Sequence, residues 1–343
     1  SEARASEIQT SRDQRKQREE NESRRRKRSK QKVSNDVLEF IKLALPGTKE
    51  SARHAMCWAC EKDLPQLVEL LLTHGPDLHD PSEENIAALL IATEFGSISS
   101  VRVLLQHGVD INGKDPKGHA AIALAAWNNH ADIITLLAER GANVNVTTEC
   151  GATPLMFACQ QNCVEATAAL LKAGAVVTSR APMTPLMIAA QEESLGCIKL
   201  LLKYDVDLNE PVEDKRSLLF FLARYQRPEP MKLMLDAGAN PNCIDNTNES
   251  PLVEAIRTGS YTCTKLLLEA GANVNVFDRF GLSMLHWACL FPTSKFVKLL
   301  LDFKADPTLR AKAANARTPI EVATKHSTLE SSLMLLCAGA TIN

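Results

Sequence analysis

An all-α solenoid of stacked helix–turn–helix units is the fold this sequence predicts, and three observations predict it. One position recurs at His54, Ala87, Ala120, Thr153, Thr184, Ser217, Ser250, Ser283 and Thr318, with spacings of 33, 33, 33, 31, 33, 33, 33 and 35 residues. Seventeen residues after each anchor stands Leu71, Leu104, Leu137, Leu170, Leu201, Met234, Leu267, Leu300 or Leu335. Twenty-one after it stands glycine, at 75, 108, 141, 174, 238, 271 and 339. A fixed period of this length means a unit too small to bury its own apolar face, so that neighbours stack and share one lengthening core.

Taken in chain order, residues 1–32 stand outside the register. They hold 12 Lys/Arg against 6 Asp/Glu, a net of +6, so the remainder of a chain of net charge −2 carries −8. With almost no apolar side chains this segment has nothing to bury and is expected to be a disordered basic arm. Its densest part comprises Arg24, Arg25, Arg26, Lys27, Arg28, Lys30 and Lys32. Such a run reads as a nuclear localisation signal, a nucleic-acid arm or a plain solvated tail. No aromatic side chain is interleaved for base stacking, and phosphate contact alone is unspecific. Residues 33–47 change character: Ser34 or Asn35 can cap a helix, Val37, Leu38, Ile41 and Leu45 recur at helical spacing, and Pro46-Gly47 stops it. The expectation is a capping helix over the first unit, with a separate partner-binding helix as the alternative.

From residue 48 to 343 the nine units follow, and the fourth shows their logic best. Thr153 can cap orphan amides and Pro154 is preset for a first helical turn. Leu155, Ala158 and Cys159 form a short apolar stripe, Leu170 and Leu171 close a second helix, and Gly174 can take the left-handed conformation that ends it. The first three units have His54-Ala55, Ala87-Ala88 and Ala120-Ala121 in place of Thr-Pro, so weaker helix starts are expected there. Asp205 and Lys304 replace the terminating glycine, and Asp tolerates a positive φ better than Lys. Cys60, Cys159 and Cys289 share one small-residue slot, which suits a buried reduced thiol in an intracellular protein.

These units resemble ankyrin repeats. TPLM occurs from Thr153 and from Thr184, GANVNV at Gly141–Val146 and Gly271–Val276, and SMLHWA (Ser283–Ala288) is close to the family's TPLHxA. The resemblance implies β-turn or hairpin tips between helix pairs, a structural role for His286, and protein partners bound on the concave side. The family's variable slots lie four, three and one residue before the anchor and seven and eight after it. In those slots the second unit offers Glu83, Glu84, Ile86, Glu94 and Phe95, and the third Lys117, His119, Trp127 and Asn128. The fourth and fifth offer Gln160, Gln161, Met183 and Gln191, and the sixth Arg216, Arg224 and Tyr225. The eighth offers Arg279, Phe280, Leu282, Leu290 and Phe291, and the ninth Arg317, Lys325 and His326. Such a surface is acidic at its start and basic at its end, which would orient a partner of mixed charge. It also gathers aromatics from a chain only 5% aromatic, although Phe280 and Phe291 could fold back on a neighbouring turn. Trp127→Ala is expected to weaken partner binding by more than about 1 kcal/mol without lowering the melting temperature.

Chemistry-bearing motifs do not survive inspection. Gly108–Asp115 (GVDINGKD) matches GxxxxGK, but Asp115 stands where Ser or Thr should hold magnesium, and the stretch lies in a turn. Cys57 and Cys60 form a lone CxxC with no second pair for a zinc site. No cofactor, metal or catalytic constellation is expected, and no apolar run reaches the ~18 residues of a membrane helix. The sequence therefore reads as a non-enzymatic scaffold or adaptor, monomeric on its own, in cytoplasm and/or nucleus, one version being a nuclear cofactor or inhibitor. One alternative is the substrate-recognition subunit of a ubiquitin ligase, as in ankyrin proteins carrying a SOCS box, although no Leu-Cys-Pro box follows the repeats. Another is a nucleic-acid-associated regulator acting through the basic arm, against which the −8 body argues.

Overall fold

The computed structural model describes residues 49–74, 83–178, 183–204, 206–211, 216–312, 317–326 and 329–341. The arm, the helix expected over 33–47, Gly75 and Asp205 lie outside the described residues, as do Arg24, Arg25, Arg26, Lys27, Arg28, Lys30 and Lys32. Eighteen helices in nine pairs fill the rest. They are α1 (Lys49–Glu61) and α2 (Pro65–His74), α3 (Glu83–Glu94) and α4 (Ile98–Gln106), α5 (Ala121–Trp127) and α6 (Ala131–Glu139). Next come α7 (Pro154–Gln160) and α8 (Val164–Lys172), α9 (Pro185–Gln191) and α10 (Leu195–Leu201), α11 (Leu218–Arg224) and α12 (Pro228–Asp236). The last are α13 (Pro251–Arg257) and α14 (Tyr261–Glu269), α15 (Met284–Ala288) and α16 (Lys295–Asp302), α17 (Pro319–His326) and α18 (Leu329–Cys337). Among the described residues there is no strand; two turn tips close with isolated antiparallel bridges, Lys114 to Ala120 and Phe277 to Ser283. No described helix is long and apolar enough to cross a membrane. The residues fall into two compact units, one running to Ala125 with Asp132–Val146, the other Ala126–Ala131 with Thr147 onward.

Helix starts follow the anchor chemistry. Thr153 Oγ1 accepts the Met156 amide and Thr184 Oγ1 the Met187 amide, both at 3.3 Å, with Pro154 and Pro185 in the first turn. Where Thr-Pro is missing the consequence is a displaced start. α1 begins five residues before His54 and α3 four before Ala87, because nothing there forces the preceding backbone out of the helical region. α5 keeps the expected start, since the Lys114–Ala120 bridge holds the approach extended.

The core is the recurring leucine line. Leu104 and Leu137 in the first unit, and Leu170, Leu201, Met234, Leu267, Leu300 and Leu335 in the second, are fully buried, as are Cys60, Cys159 and Cys289. Burying one such leucine contributes roughly 1.5–3 kcal/mol. Lys304 does adopt the left-handed φ of the glycines it replaces (+66°).

A second left-handed position, nine residues after the anchor, ties neighbouring repeats together. Asp63, Gly96, Asn129, Asn162, Glu193, Gln226 and Gly259 all have positive φ there. Asp63 Oδ1 accepts the Ser100 amide and hydroxyl at 2.8 and 3.0 Å, and Asn129 Oδ1 accepts the Ala166 amide at 3.0 Å. Each side chain thus satisfies an orphan donor in the first turn of the next repeat's second helix. The following turns are laddered in the same way: Asn209, Asn242 and Asn275 accept the amides of Asn240, Asn273 and Asp306 at 2.8–2.9 Å.

Gly281 makes the tightest of the turn contacts. Its φ is +77°, its carbonyl accepts the Lys312 amide at 2.8 Å, and a Cβ there would sit 2.7 Å from Lys312 Cβ and 3.2 Å from its backbone. Gly281→Ala is expected to cost about 1–3 kcal/mol, from the left-handed strain together with the displaced Lys312 backbone. Denaturant unfolding should show a lower midpoint at unchanged slope; an unaltered midpoint would contradict this reading.

Candidate functional site

The residues that the sequence assigns to a partner-facing surface sit mostly at turn tips and at the ends of first helices. Phe95, Trp127, Tyr225 and Phe280 are 56%, 40%, 62% and 57% exposed, and Lys117, Asn128, Gln160, Met183 and Leu290 are exposed too. Glu83 and Glu84 open α3, and Glu94, its last residue, is exposed.

Among the ring-bearing candidates, His119, Trp127 and Phe291 are engaged within the chain. His119 is half-buried against its own turn, its Nδ1 2.9 Å from Asp115 Oδ2 and its amide donating to Asp115 Oδ1 at 2.7 Å. Burial would raise the Asp115 carboxyl, but these bonds and the Lys117 amide outweigh it and hold the group below its ordinary value. Trp127 meets Phe157 edge-on at 5.7 Å. Removing such a pair costs about 0.5–1.5 kcal/mol beyond area, so Trp127→Ala is now expected to lower the melting temperature as well as partner affinity. Phe291 does fold back: it stacks on Phe296 at 4.7 Å and lies over Gly259, 3.3 Å from where a Cβ would stand. Phe280 stays outward, with the Arg279 guanidinium 4.8 Å from its ring.

Repeats six to eight carry a network of alternating charge, and the seventh repeat supplies its acids. Arg216 Nε donates to Asp245 Oδ2 at 3.2 Å, while Asp245 Oδ1 accepts the amides of Thr247 and Glu249 at 2.8 and 3.0 Å. Burial pushes the Asp245 carboxyl up, yet the Thr247 hydroxyl, those amides and Arg216 hold it below the usual range. Glu249 Oε1, on a side chain 4% exposed, accepts Arg257 Nη2 at 2.6 Å and the Arg279 amide at 3.1 Å, with Arg279 Nε at 4.0 Å. Arg257 Nη1 donates to Glu254 at 3.0 Å, and Arg224 Nε lies 3.9 Å from the other Glu254 oxygen. The Arg257 guanidinium also sits 5.9 Å over Trp287, whose Nε1 donates to buried Asp278 at 2.9 Å. Arg216, Arg224 and Arg279 are therefore partnered, and they give a mixed-charge strip across repeats six to eight.

Glu249 and Arg257 occupy the same offsets from Ser250 that defined the surface in the other repeats, and those offsets are the signal that would have found them. Trp287, at a different offset, carries no such signal. Nothing in this arrangement resembles a nucleophile with a base, and no group of three His, Cys, Asp or Glu among the described residues is placed to hold a metal. Burial pushes the Cys57 and Cys60 thiols up, away from the thiolate a metal would need.

Comparison with known proteins agrees with the repeat pattern. The family model described as "Ankyrin repeats (3 copies)" matches in four overlapping windows, residues 33–115, 56–148, 122–212 and 186–278. The chain is 34% identical over 112 residues to the transient receptor potential channel pyrexia of Drosophila melanogaster, covering 32% of this chain and 12% of that protein. It is 29% identical over 158 residues to human SH3 and multiple ankyrin repeat domains protein 2, covering 46% of this chain and 8% of that protein. The chain thus spans a small part of these relatives. The crystal structure of the human ASB11 ankyrin repeat domain superposes with a TM-score of 0.43 at 23% identity, covering 74% of this chain and 99% of that one.

Proposed function

Because this chain belongs to the ankyrin-repeat family, whose repeats are generally protein–protein interaction modules, we propose that it is a non-enzymatic scaffold that binds a partner protein through the turn tips and first-helix ends of its repeats. The observation that carries this reading is the outward placement of large aromatics: Phe95 in one unit, and Trp127, Tyr225 and Phe280 in the other. Rigid aromatics of this kind are the side chains that dominate interface energies when they enter a partner's pocket. The mixed-charge strip around Glu249 and Arg257 supplies specificity and orientation beside them. The arm residues Arg24–Lys32 would act separately, as an import signal taking the scaffold and its partner to the nucleus.

The test compares proteins recovered from cells with the full wild-type chain and with Tyr225→Ala and Phe280→Ala. A true partner is expected to lose affinity by roughly tenfold or more for each substitution, at unchanged melting temperature. Recovery that ignores both substitutions would remove this surface from the function.

A further inference from the structure

We propose that the turn tips of repeats seven to nine hold an acidic side chain on an extended segment of the partner protein. The inference rests on the partner-binding reading and assigns a chemistry to one part of that surface. Two adjoining cavities of ≈ 280 and ≈ 520 Å³ share Asn248, Phe277 and Lys312 in their walls. Arg279 and Phe280 complete the first, Ile244 and Ser250 the second.

The charge these cavities present is positive, and it is fixed in place. Lys312 Nζ rests 4.3 Å from the Phe277 ring centre, as Arg279 rests over Phe280, so both cations stand on aromatic faces. The Lys312 backbone is pinned to Gly281 by the 2.8 Å amide bond. Asp278 is the acid in the wall, and it is buried. Its Oδ1 accepts the Phe280 and Leu282 amides at 2.9 and 2.8 Å, and its Oδ2 the Trp287 Nε1 proton. Ser250, in the wall of the second cavity, is 6% exposed, and its Oγ has no hydrogen-bond partner among the described residues, so it is free to donate to a carboxylate there.

Apolar flanks complete the site, since Ile244 and Phe280 are 53% and 57% exposed on its rims. An extended chain sends successive side chains to opposite faces, so one carboxylate with apolar neighbours suits the two cavities. A monoanion fits better than a phosphate dianion, because Glu249 already lies 4.0 Å from Arg279 Nε.

The test pans a phage-displayed library of short random peptides on the full chain and on its Lys312→Glu variant. The wild type is expected to enrich Asp or Glu at a fixed spacing from apolar residues. Fluorescence anisotropy should show those peptides binding roughly tenfold or more weakly to Lys312→Glu, less so to Lys312→Gln, and more weakly as salt rises. Panning on Lys312→Glu should invert the preference toward Lys or Arg, which a merely structural role for Lys312 would not do. Acid-free peptides that bind Lys312→Glu as well as wild type overturn the proposal. If the library yields no binder, the acidic-segment proposal falls, while the partner-binding reading stands or falls on recovery from cells with Tyr225→Ala and Phe280→Ala.

Discussion

Arg257→Ala is expected to lower the unfolding free energy by about 3–5 kcal/mol, the cost of stranding a buried carboxylate. Arg257 Nη2 is the direct charged partner of Glu249, whose side chain is 4% exposed; once it is gone, Glu249 keeps the Arg279 amide and a guanidinium 4.0 Å away. Arg257 itself is 26% exposed, so the reverse change, Glu249→Gln, is milder: the arginine retains Glu254 and some water. Arg257→Lys should not restore stability, since one ammonium cannot bridge Glu249 and Glu254 as the two guanidinium nitrogens do. A double-mutant cycle between 249 and 257 should show strong coupling, and hydrogen exchange should rise first in repeats seven and eight, because a repeat stack can open locally. Near-additive losses would contradict the buried pair.

His286→Ala is expected to cost about 2–4 kcal/mol, the loss of a small buried network. The ring is 1% exposed. Its Nδ1 accepts the Ser283 amide at 3.1 Å and lies 2.7 Å from Ser283 Oγ, while Nε2–H donates to the Arg317 carbonyl in the next repeat at 2.8 Å. This geometry requires the neutral Nε2–H tautomer, since a proton on Nδ1 would meet the Ser283 amide proton head-on. Burial accordingly pushes the imidazole below its ordinary 6.5, outweighing the Arg317 carbonyl, Asp278 and Glu321, which favour the cation. The unfolded chain therefore takes up the proton first. The stabilisation is complete above about pH 6.5 and is lost as pH falls from there toward the depressed folded value. Wild type should lose stability relative to His286→Ala between about pH 7 and 5. A difference that stays constant over that range would mean the ring is not held neutral.

The repeat register was legible because burial enforces it: the residue seventeen after each anchor is buried in every repeat, and a large apolar side chain is needed to fill that place. The terminating glycine was legible for a similar reason, a positive φ that most side chains resist. The position nine residues after the anchor was not, because Asp63, Asn129, Glu193 and Gln226 meet the same backbone need with different side chains. The ion network escaped because Arg216, Glu249, Arg257 and Arg279 belong to three different repeats, and only stacking brings them within reach. Exposed aromatics could be placed by offset alone, yet offset does not say which ring turns inward. Phe291 has Phe296 and the bare backbone of Gly259 to lie on, whereas Phe280 stands at a turn tip with Arg279 beside it.

The most direct measurement is photo-crosslinking in cells with a benzophenone amino acid in place of Tyr225, followed by mass spectrometry of the adducts. Position 225 serves better than 127, whose ring leans on Phe157. A scaffold that grips its partner here gives one dominant protein adduct, which falls away when Phe280→Ala is added. A blank at 225, with adducts forming only from probes placed within residues 1–32, would contradict a binding role for the repeats and move the function to the arm.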